Sequence, residues 1–231
     1  SYAAPEVLNT SRVSSAGGVV SVRGSSLGRT DDEVIVRVDG GACTGVEHVA
    51  NHSMLRCRVG ASTRGGLGAA VLVSVQGQTG AGVMDYLAPE VHNASAADSG
   101  GGVVTVYGAH FGVAGASVRV GDTACEDVSY VEEHAALRCR VGGASGAVQS
   151  GYGVVVSLSG QSSGGAVVYA YGAPVVESCS RVGTEGGDVT VRGRSFGEAG
   201  AVVSVAGRVC VGVRYESRHR VVVCRAGGGV G

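Results

Sequence analysis

The feature that most constrains the fold is one short apolar segment that occurs three times, with a cysteine at the same step each time. The copies are MLRCRV at 54–59, ALRCRV at 136–141 and VVVCRA at 221–226. Each holds the second member of a cysteine pair, and the two members are 14 positions apart in all three pairs: Cys43/Cys57, Cys125/Cys139 and Cys210/Cys224. A repeat of this kind indicates a series of similar modules.

Other landmarks recur with a period of about 85 residues. A Gly-Gly step leads into a strand-like segment in GGVVSVRG at 17–24, GGVVTVYG at 101–108 and GGDVTVRG at 186–193. Apolar and polar residues alternate in these segments and in the cysteine segments, so that Leu55, Cys57 and Val59 face a core while Arg56 and Arg58 face out. Clean alternation predicts antiparallel sheets with one wet face, and two such sheets packed together make a sandwich.

Composition supports an all-β chain and limits its partners. Of 231 residues 44% are hydrophobic, and only 3 are proline. Valine dominates the apolar set, which favours strands, and no segment has helical periodicity over three turns. The formal net charge of −1 gives no reason to expect nucleic acid as a partner. No run of 18 apolar residues is present, so we expect no membrane insertion in this segment.

The landmarks together resemble the IPT/TIG family of immunoglobulin-like domains. Residues 89–171 carry the pattern nearly throughout, in GGVVTVYGAHFG, VRVGDTAC, ALRCRV, YGVVVSLSG and VVYAY. The resemblance implies tandem immunoglobulin-like β-sandwiches, with domains at 1–88, 89–173 and 174–231. The third repeat fits as far as VVVCRA and then lacks the last two strands of the pattern, so we expect an incomplete domain there and a natural chain that continues past Gly231.

The three identical cysteine spacings favour one disulfide within each domain, a staple that suits modules with modest cores. Buried free thiols are the alternative, and zinc is disfavoured because the pairs would lie in separate domains. Cys179 is left over on the first strand of the third repeat. It is either a buried unpaired thiol or a partner in a bond to another chain or segment.

All three asparagines stand in N-x-S/T sequences, at Asn9, Asn51 and Asn93. The sequence therefore predicts N-glycosylation at these positions. Disulfides and glycosylation together predict an extracellular or cell-surface location.

A search for chemistry gives no active site. His48 and His52 are four residues apart, and their side chains would share one side only if the strand ran unbroken between them. Asp31, Asp32 and Glu33 form an acidic turn that only the first repeat has. We interpret them as structural or solvated groups and expect no enzyme activity, no metal and no cofactor.

Surface positions offer candidate interfaces. Arg56, Arg58, Arg138 and Arg140 should share outward sheet faces, where they either keep the sheet soluble or meet an acidic partner such as a glycan. Tyr107 replaces an outward arginine, and Val221 and Val223 occupy positions that we expect to face outward. Exposed apolar residues on a sheet face indicate a contact with another domain or chain.

The short Pro-containing linkers YLAPEV and YGAPVV leave almost no slack between modules. The leading hypothesis is a non-enzymatic extracellular structural protein, a rod of repeats in a cell-surface or filament-forming glycoprotein such as a flagellar fibre. It would assemble with itself or with neighbouring chains. The alternatives are the ectodomain of an adhesion protein or receptor, and an accessory module of a secreted carbohydrate-active enzyme.

Overall fold

Valine-rich strands and tight turns account for nearly all of the regular structure. The computed structural model describes residues 3–144 and 150–229, and within these residues every regular element is a β-strand. The buried apolar side chains form three separate cores, one for each sequence repeat. The all-β, tandem immunoglobulin-like architecture predicted from the sequence is confirmed.

The first module consists of two four-stranded antiparallel sheets. Its strands are β1 (Glu6–Thr10), β2 (Gly18–Ser25), β3 (Val34–Val38), β4 (Gly41–Ala42), β5 (Thr44–Ala50), β6 (Met54–Val59), β7 (Ala69–Val75) and β8 (Gln78–Met84). One sheet has the order β1-β2-β6-β5, and the other has the order β4-β3-β7-β8. The side chains that face between the sheets are buried, including Val20, Leu55 and Val73.

The second module repeats this arrangement. Its strands are β9 (Glu90–Ala94), β10 (Gly102–Ala109), β11 (Ser117–Val120), β12 (Thr123–Ala124), β13 (Glu126–Glu132), β14 (Ala136–Val141), β15 (Ser150–Leu158), β16 (Gln161–Ser162) and β17 (Val168–Ala170). One sheet has the order β13-β14-β10-β9, and the other has β12-β11-β15-β16 with β17 also paired to β15.

The third module has only one full sheet in the described residues. Its strands are β18 (Val175–Cys179), β19 (Gly187–Arg194), β20 (Ser204–Val205), β21 (Arg208–Val209), β22 (Val211–Ser217) and β23 (Val221–Ala226). The sheet has the order β18-β19-β23-β22, and β20 and β21 form a separate hairpin. The side that β7 and β15 close in the other modules is here an open cavity of about 610 Å³, lined in part by Val191, Phe196 and Val222.

The second strand of every module has glycine as its penultimate residue because the neighbouring first strand approaches it closely there. A Cβ atom at that position would strike a carbonyl oxygen of the first strand in the same module. The three glycines are Gly24, Gly108 and Gly193. This close approach explains why the sequence motif ends on glycine in each repeat.

Each linker is anchored to the module that precedes it. The Leu87 N–H donates to the Val13 carbonyl at 2.9 Å, and the Gly172 N–H donates to the Ala97 carbonyl at 2.8 Å. The two bonds occupy equivalent positions in the repeat, so both linkers leave their module in the same way.

Candidate functional site

The disulfides staple the first sheet of every module. Each links the residue just before the outer strand (β5, β13 or β22) to the neighbouring strand (β6, β14 or β23), and the Cα–Cα distances are 5.7, 5.7 and 5.6 Å. These distances lie in the range that disulfides require. All six cysteines are buried: Cys43, Cys57, Cys125, Cys139, Cys210 and Cys224.

Cys179 lies at the end of β18, is exposed, and has no disulfide partner in the described part of the chain. The prediction that it could be a buried thiol is wrong. The first strand of the third module is exposed along its whole length, because no second sheet covers that side of it. A bond from Cys179 to another chain or segment stays a prediction.

The three sequon asparagines are all exposed. Asn9 lies in β1 and Asn93 in the equivalent strand β9, while Asn51 lies in the turn between β5 and β6. The Asn93 side-chain oxygen accepts a hydrogen bond from the Ala94 N–H at 2.8 Å. These positions are accessible to a glycosylating enzyme, and glycosylation itself stays a prediction.

The arginines of the cysteine strands face solvent as the alternation predicts. Arg56, Arg58, Arg138 and Arg140 are exposed. Acidic residues of the adjacent strands pair with some of them, at 3.4 Å from Arg56 to Glu47 and at 4.0 Å from the Arg140 side chain to a carboxylate of β13. Exposed pairs of this kind contribute little stability, but they reduce the positive charge available to an acidic partner.

One predicted interface residue is not on the surface. Tyr107 is 49% exposed, whereas Val223 is only 2% exposed. Val223 does lie on the outward face, opposite Arg214 and Thr190 in the register. The Arg214 side chain crosses β23 to bind Asp188 at 3.1 Å and so covers the smaller valine. The prediction of an exposed Val223 is therefore wrong, while Val221 is partly exposed.

His48 and His52 serve separate hydrogen bonds. The His48 Nε2 lies 3.0 Å from the Leu27 carbonyl, and the His52 Nε2 accepts from the Arg29 Nε at 3.0 Å. In the acidic turn, the Asp32 carboxylate accepts from the Arg29 N–H at 2.7 Å. Among residues 3–144 and 150–229, no three His, Cys, Asp or Glu side chains are grouped so that they could hold a metal ion. The same residues include no helix with the length and hydrophobicity to span a membrane.

The junction between the first two modules is built around Ser15, which is fully buried. Its Oγ lies 2.9 Å from the Nδ1 of His134 and accepts from the Gly112 N–H at 3.3 Å. The hydroxyl accepts from Gly112 and still has its own hydrogen, which it can donate to the Nδ1 of His134. Next to it, the Ser14 Oγ lies 3.0 Å from the Nδ1 of His110.

Further contacts close this junction. Leu158 of the second module is only 2% exposed, since it packs close to Gly65 of the first. The Ser159 Oγ donates to the Arg64 carbonyl at 3.1 Å, and the Gln161 Nε2 donates to the Tyr86 carbonyl at 3.0 Å. The two modules therefore meet through packing and several hydrogen bonds, and not through the linker alone.

The junction between the second and third modules repeats the same serine–histidine pair. The Ser99 Oγ lies 3.1 Å from the Nδ1 of His219 and accepts from the Gly197 N–H at 3.1 Å. Ser99 is fully buried, like Ser15. The neighbouring Asp98 accepts from the Ser195 hydroxyl at 3.2 Å and lies 3.9 Å from Arg194. We call each of these buried serines, Ser15 and Ser99, with the turn that carries it, the plug. We call the glycine and the histidine of the next module that bind it the socket.

The electrostatics around His110 favour its neutral form. Burial lowers the pKa of His110, and the neighbouring His92 and His134 lower it further, whereas Glu90 opposes them. A neutral ring keeps an acceptor nitrogen for the hydroxyl of Ser14.

His134 and His219 were not predicted as site residues, although the sequence carries a signal for them. His52, His134 and His219 each stand five residues before the second cysteine of their module. Their backbones share a positive φ of 63°, 64° and 65°. Recurrence at one register position separates them from the other histidines, which are scattered.

Comparison with known proteins identifies the family of the modules. The model of the IPT/TIG domain family matches residues 6–87 and again residues 89–171. No curated protein matches the chain significantly.

Solved structures with a similar fold have low sequence identity and low TM-scores. A surface glycan-binding protein from Prevotella bryantii is 14% identical with a TM-score of 0.43, and the match covers 70% of this chain and 41% of that one. The surface glycan-binding protein of a Bacteroides ovatus mixed-linkage glucan locus is 16% identical with a TM-score of 0.30, over 97% and 58% of the two chains. The titin I9–I11 tandem is 8% identical with a TM-score of 0.28, over 98% and 90%.

The chain spans only about half the length of the first glycan-binding structures that it matches. Likeness at this level concerns the fold alone. The two family matches, however, account for most of the sequence. The chain belongs to the IPT/TIG domain family.

Proposed function

We propose that this chain is part of a non-enzymatic extracellular structural protein, in which IPT/TIG modules stack into a stiff rod. The rod would belong to a cell-surface or filament-forming glycoprotein. Its partners are neighbouring protein chains of the same assembly or further copies of itself.

The observation that carries the proposal is the repeated junction. Two module boundaries use the same buried serine, the same histidine nitrogen and the same glycine amide. A flexible string of independent binding domains does not need buried polar contacts between its members. When each contact surface is the same, the modules are related by nearly the same rotation, and the chain extends as a regular array.

The disulfides and the exposed sequons support an extracellular location. Disulfides persist in oxidising compartments and are rare in the cytosol. One staple in each module, with the three accessible asparagines at Asn9, Asn51 and Asn93, suits a secreted glycoprotein. The paired arginines favour solubility over a glycan-binding role, because adjacent carboxylates offset part of their charge.

Imaging of the native material tests the proposal. Negative-stain electron microscopy of the full-length glycoprotein should show straight, thin rods or regular assemblies of them. Mass spectrometry after enzymatic deglycosylation should find Asn converted to Asp at one or more of the three sequons. Bent, freely jointed particles together with unmodified asparagines would contradict both the structural role and the location.

A further inference from the structure

The first module carries a copy of the socket that the second and third modules use, and no other module among the described residues docks into it. An open cleft of about 580 Å³ on this module is lined by nine residues: Ala3, Ser26, Gly28, Arg29, Asp32, His52, Val75, Gln76 and Gln78. In the second module, the surface that receives the first module is formed by the equivalent positions: His110, Gly112, His134, Leu158, Ser159 and Gln161. The cleft of the first module therefore corresponds to the surface of the second module that is buried at the junction.

Exposure of the equivalent residues agrees with this reading. His134 and His219 are half-buried at their junctions, whereas His52 is exposed. Leu158 is buried by the preceding module, whereas Val75 at the same place in the first module is only partly buried. The His52 Nε2 accepts a hydrogen bond from Arg29. Within the described residues no group is hydrogen-bonded to its Nδ1, the atom that the plug serine contacts in the second and third modules.

The backbone of the cleft is already set for a plug. His52 has a φ of 63°, against 64° and 65° for the two occupied histidines. The His52 N–H donates to the Gly28 carbonyl at 2.6 Å, and the matching bonds to Gly112 and Gly197 are 2.7 Å each. Docking would therefore need no change of the backbone at His52 and Gly28, which lowers its cost.

The sequence next to the cleft matches the linker that accompanies each occupied socket. Tyr-x-Ala-Pro occurs at 2–5, 86–89 and 171–174. In the first complete linker the tyrosine, Tyr86, is 2% exposed and belongs to the core of the module ahead of it. A copy of this motif directly before β1 indicates the same in-line connection.

The chain also carries a third copy of the plug, at Thr184. Ser15, Ser99 and Thr184 stand at the same place, two residues before the Gly-Gly step of their modules. Their carbonyls accept equivalent hydrogen bonds, from Ser62 at 2.8 Å, from Ala144 at 2.8 Å and from Gly229 at 2.9 Å. Threonine has the same hydroxyl that the socket binds. The sequence of a plug is therefore Ser or Thr, then any residue, then Gly-Gly.

We propose that the cleft of the first module is a docking site for another IPT/TIG module, joined in line through the Tyr-x-Ala-Pro segment. The serine or threonine hydroxyl of its x-Gly-Gly turn would bond to the His52 Nδ1 and accept from the Gly28 N–H. This proposal adds detail to the proposed rod function and rests on it for its biological role. The docking itself is tested on the isolated protein.

The test extends the full chain with a second copy of residues 89–171, placed directly before Ala3 so that Tyr171 takes the place of Tyr2. Amide hydrogen exchange at Gly28 is then measured by NMR in the parent and extended chains. We expect exchange at Gly28 to slow at least about fivefold in the extended chain, as expected for one new buried hydrogen bond. Replacing the plug serine of the added module, Ser99→Ala, should remove most of this protection.

A second measurement, of histidine modification, tests the proposal even if the serine variant folds poorly. Diethylpyrocarbonate should modify His52 in the parent chain at a rate similar to that of exposed His92, and at least about fivefold more slowly in the extended chain. Equal rates at His52 in both chains, with unchanged exchange at Gly28, would overturn the proposal. Protection in the parent chain that rises with protein concentration would instead assign the cleft to the Thr184 turn of a second copy, and would overturn the in-line connection.

The outcomes separate this inference from the rod function. If native rods are seen while Gly28 and His52 stay unprotected, the docking site fails and the rod proposal survives. If docking occurs but native material is not rod-like, the reverse holds.

Discussion

Ser15→Ala removes one hydroxyl from the first junction and leaves the residues of the module core as they are. Ser15 is fully buried and serves two groups of the second module, the Nδ1 of His134 and the N–H of Gly112. The methyl group of alanine can form neither of these two hydrogen bonds. A buried polar group left without its partner costs about 1–3 kcal/mol.

The effect should be at the lower end of that range, because His134 is half-buried and water can replace part of the lost bond. A loss of about 1–2 kcal/mol corresponds to a 5- to 30-fold increase in opening of the junction. Amide hydrogen exchange at Gly112 reports this opening directly, since its N–H points at the missing oxygen. We expect that amide to exchange about 5- to 30-fold faster in Ser15→Ala than in the parent chain.

Ser11→Ala is the matched control. The Ser11 Oγ accepts from the Ser21 N–H at 2.9 Å, and this hydrogen bond lies wholly within the first module. This variant should speed exchange at Ser21 and leave Gly112 unchanged. If Ser15→Ala leaves exchange at Gly112 at the parent rate, the hydroxyl does not hold the modules together and the reasoning is refuted.

Three more predictions concern the second module, each read as the urea midpoint of its unfolding. Cys125→Ser with Cys139→Ser opens a loop with a sequence separation of 14 and should cost about 3 kcal/mol. Gly108→Ala puts a Cβ against a carbonyl of the neighbouring strand β9 and should cost about 1–3 kcal/mol, whereas Gly142→Ala, which meets no atom within 4 Å, should cost almost nothing. Burial lowers the pKa of His110, so stability should be complete above the ordinary value of 6.5 and fall as the pH drops through the lowered value; His110→Gln should flatten this fall.

Each of these three has a distinct contradicting result. Equal midpoints for the oxidised protein and the double serine variant would show that the bridge does not stabilise the module. Equal costs at the two glycines would show that the first strand does not approach as closely as described. A pH profile that is the same with and without the imidazole of residue 110 would remove the proposed titration from the junction.

Much of the fold could be predicted because alternation and spacing are local properties. Leu55, Cys57 and Val59 are buried and Arg56 and Arg58 exposed, as the period of two requires. Val223 shows the limit of this rule. Alternation gives the face on which a side chain lies, whereas its exposure depends on Arg214, a long neighbour on another strand that reaches across it.

The junctions could not be derived from such patterns. Ser15 and His134 are 119 residues apart, and Ser99 and His219 are 120 residues apart. Their contact depends on how one folded module sits on the next, which is set by linker geometry and not by periodicity within a strand. The one sequence signal for these contacts is the recurrence of histidine at the same position of each repeat. The role of that histidine becomes clear only from the structure.

The most direct test of the central claim, that repeated serine–histidine junctions lock the modules into one stiff body, is a set of residual dipolar couplings from the weakly aligned 231-residue chain. We predict that backbone couplings from all three modules fit one alignment tensor. Separate tensors of different magnitude for the three modules would mean that they move independently, and would contradict the rod.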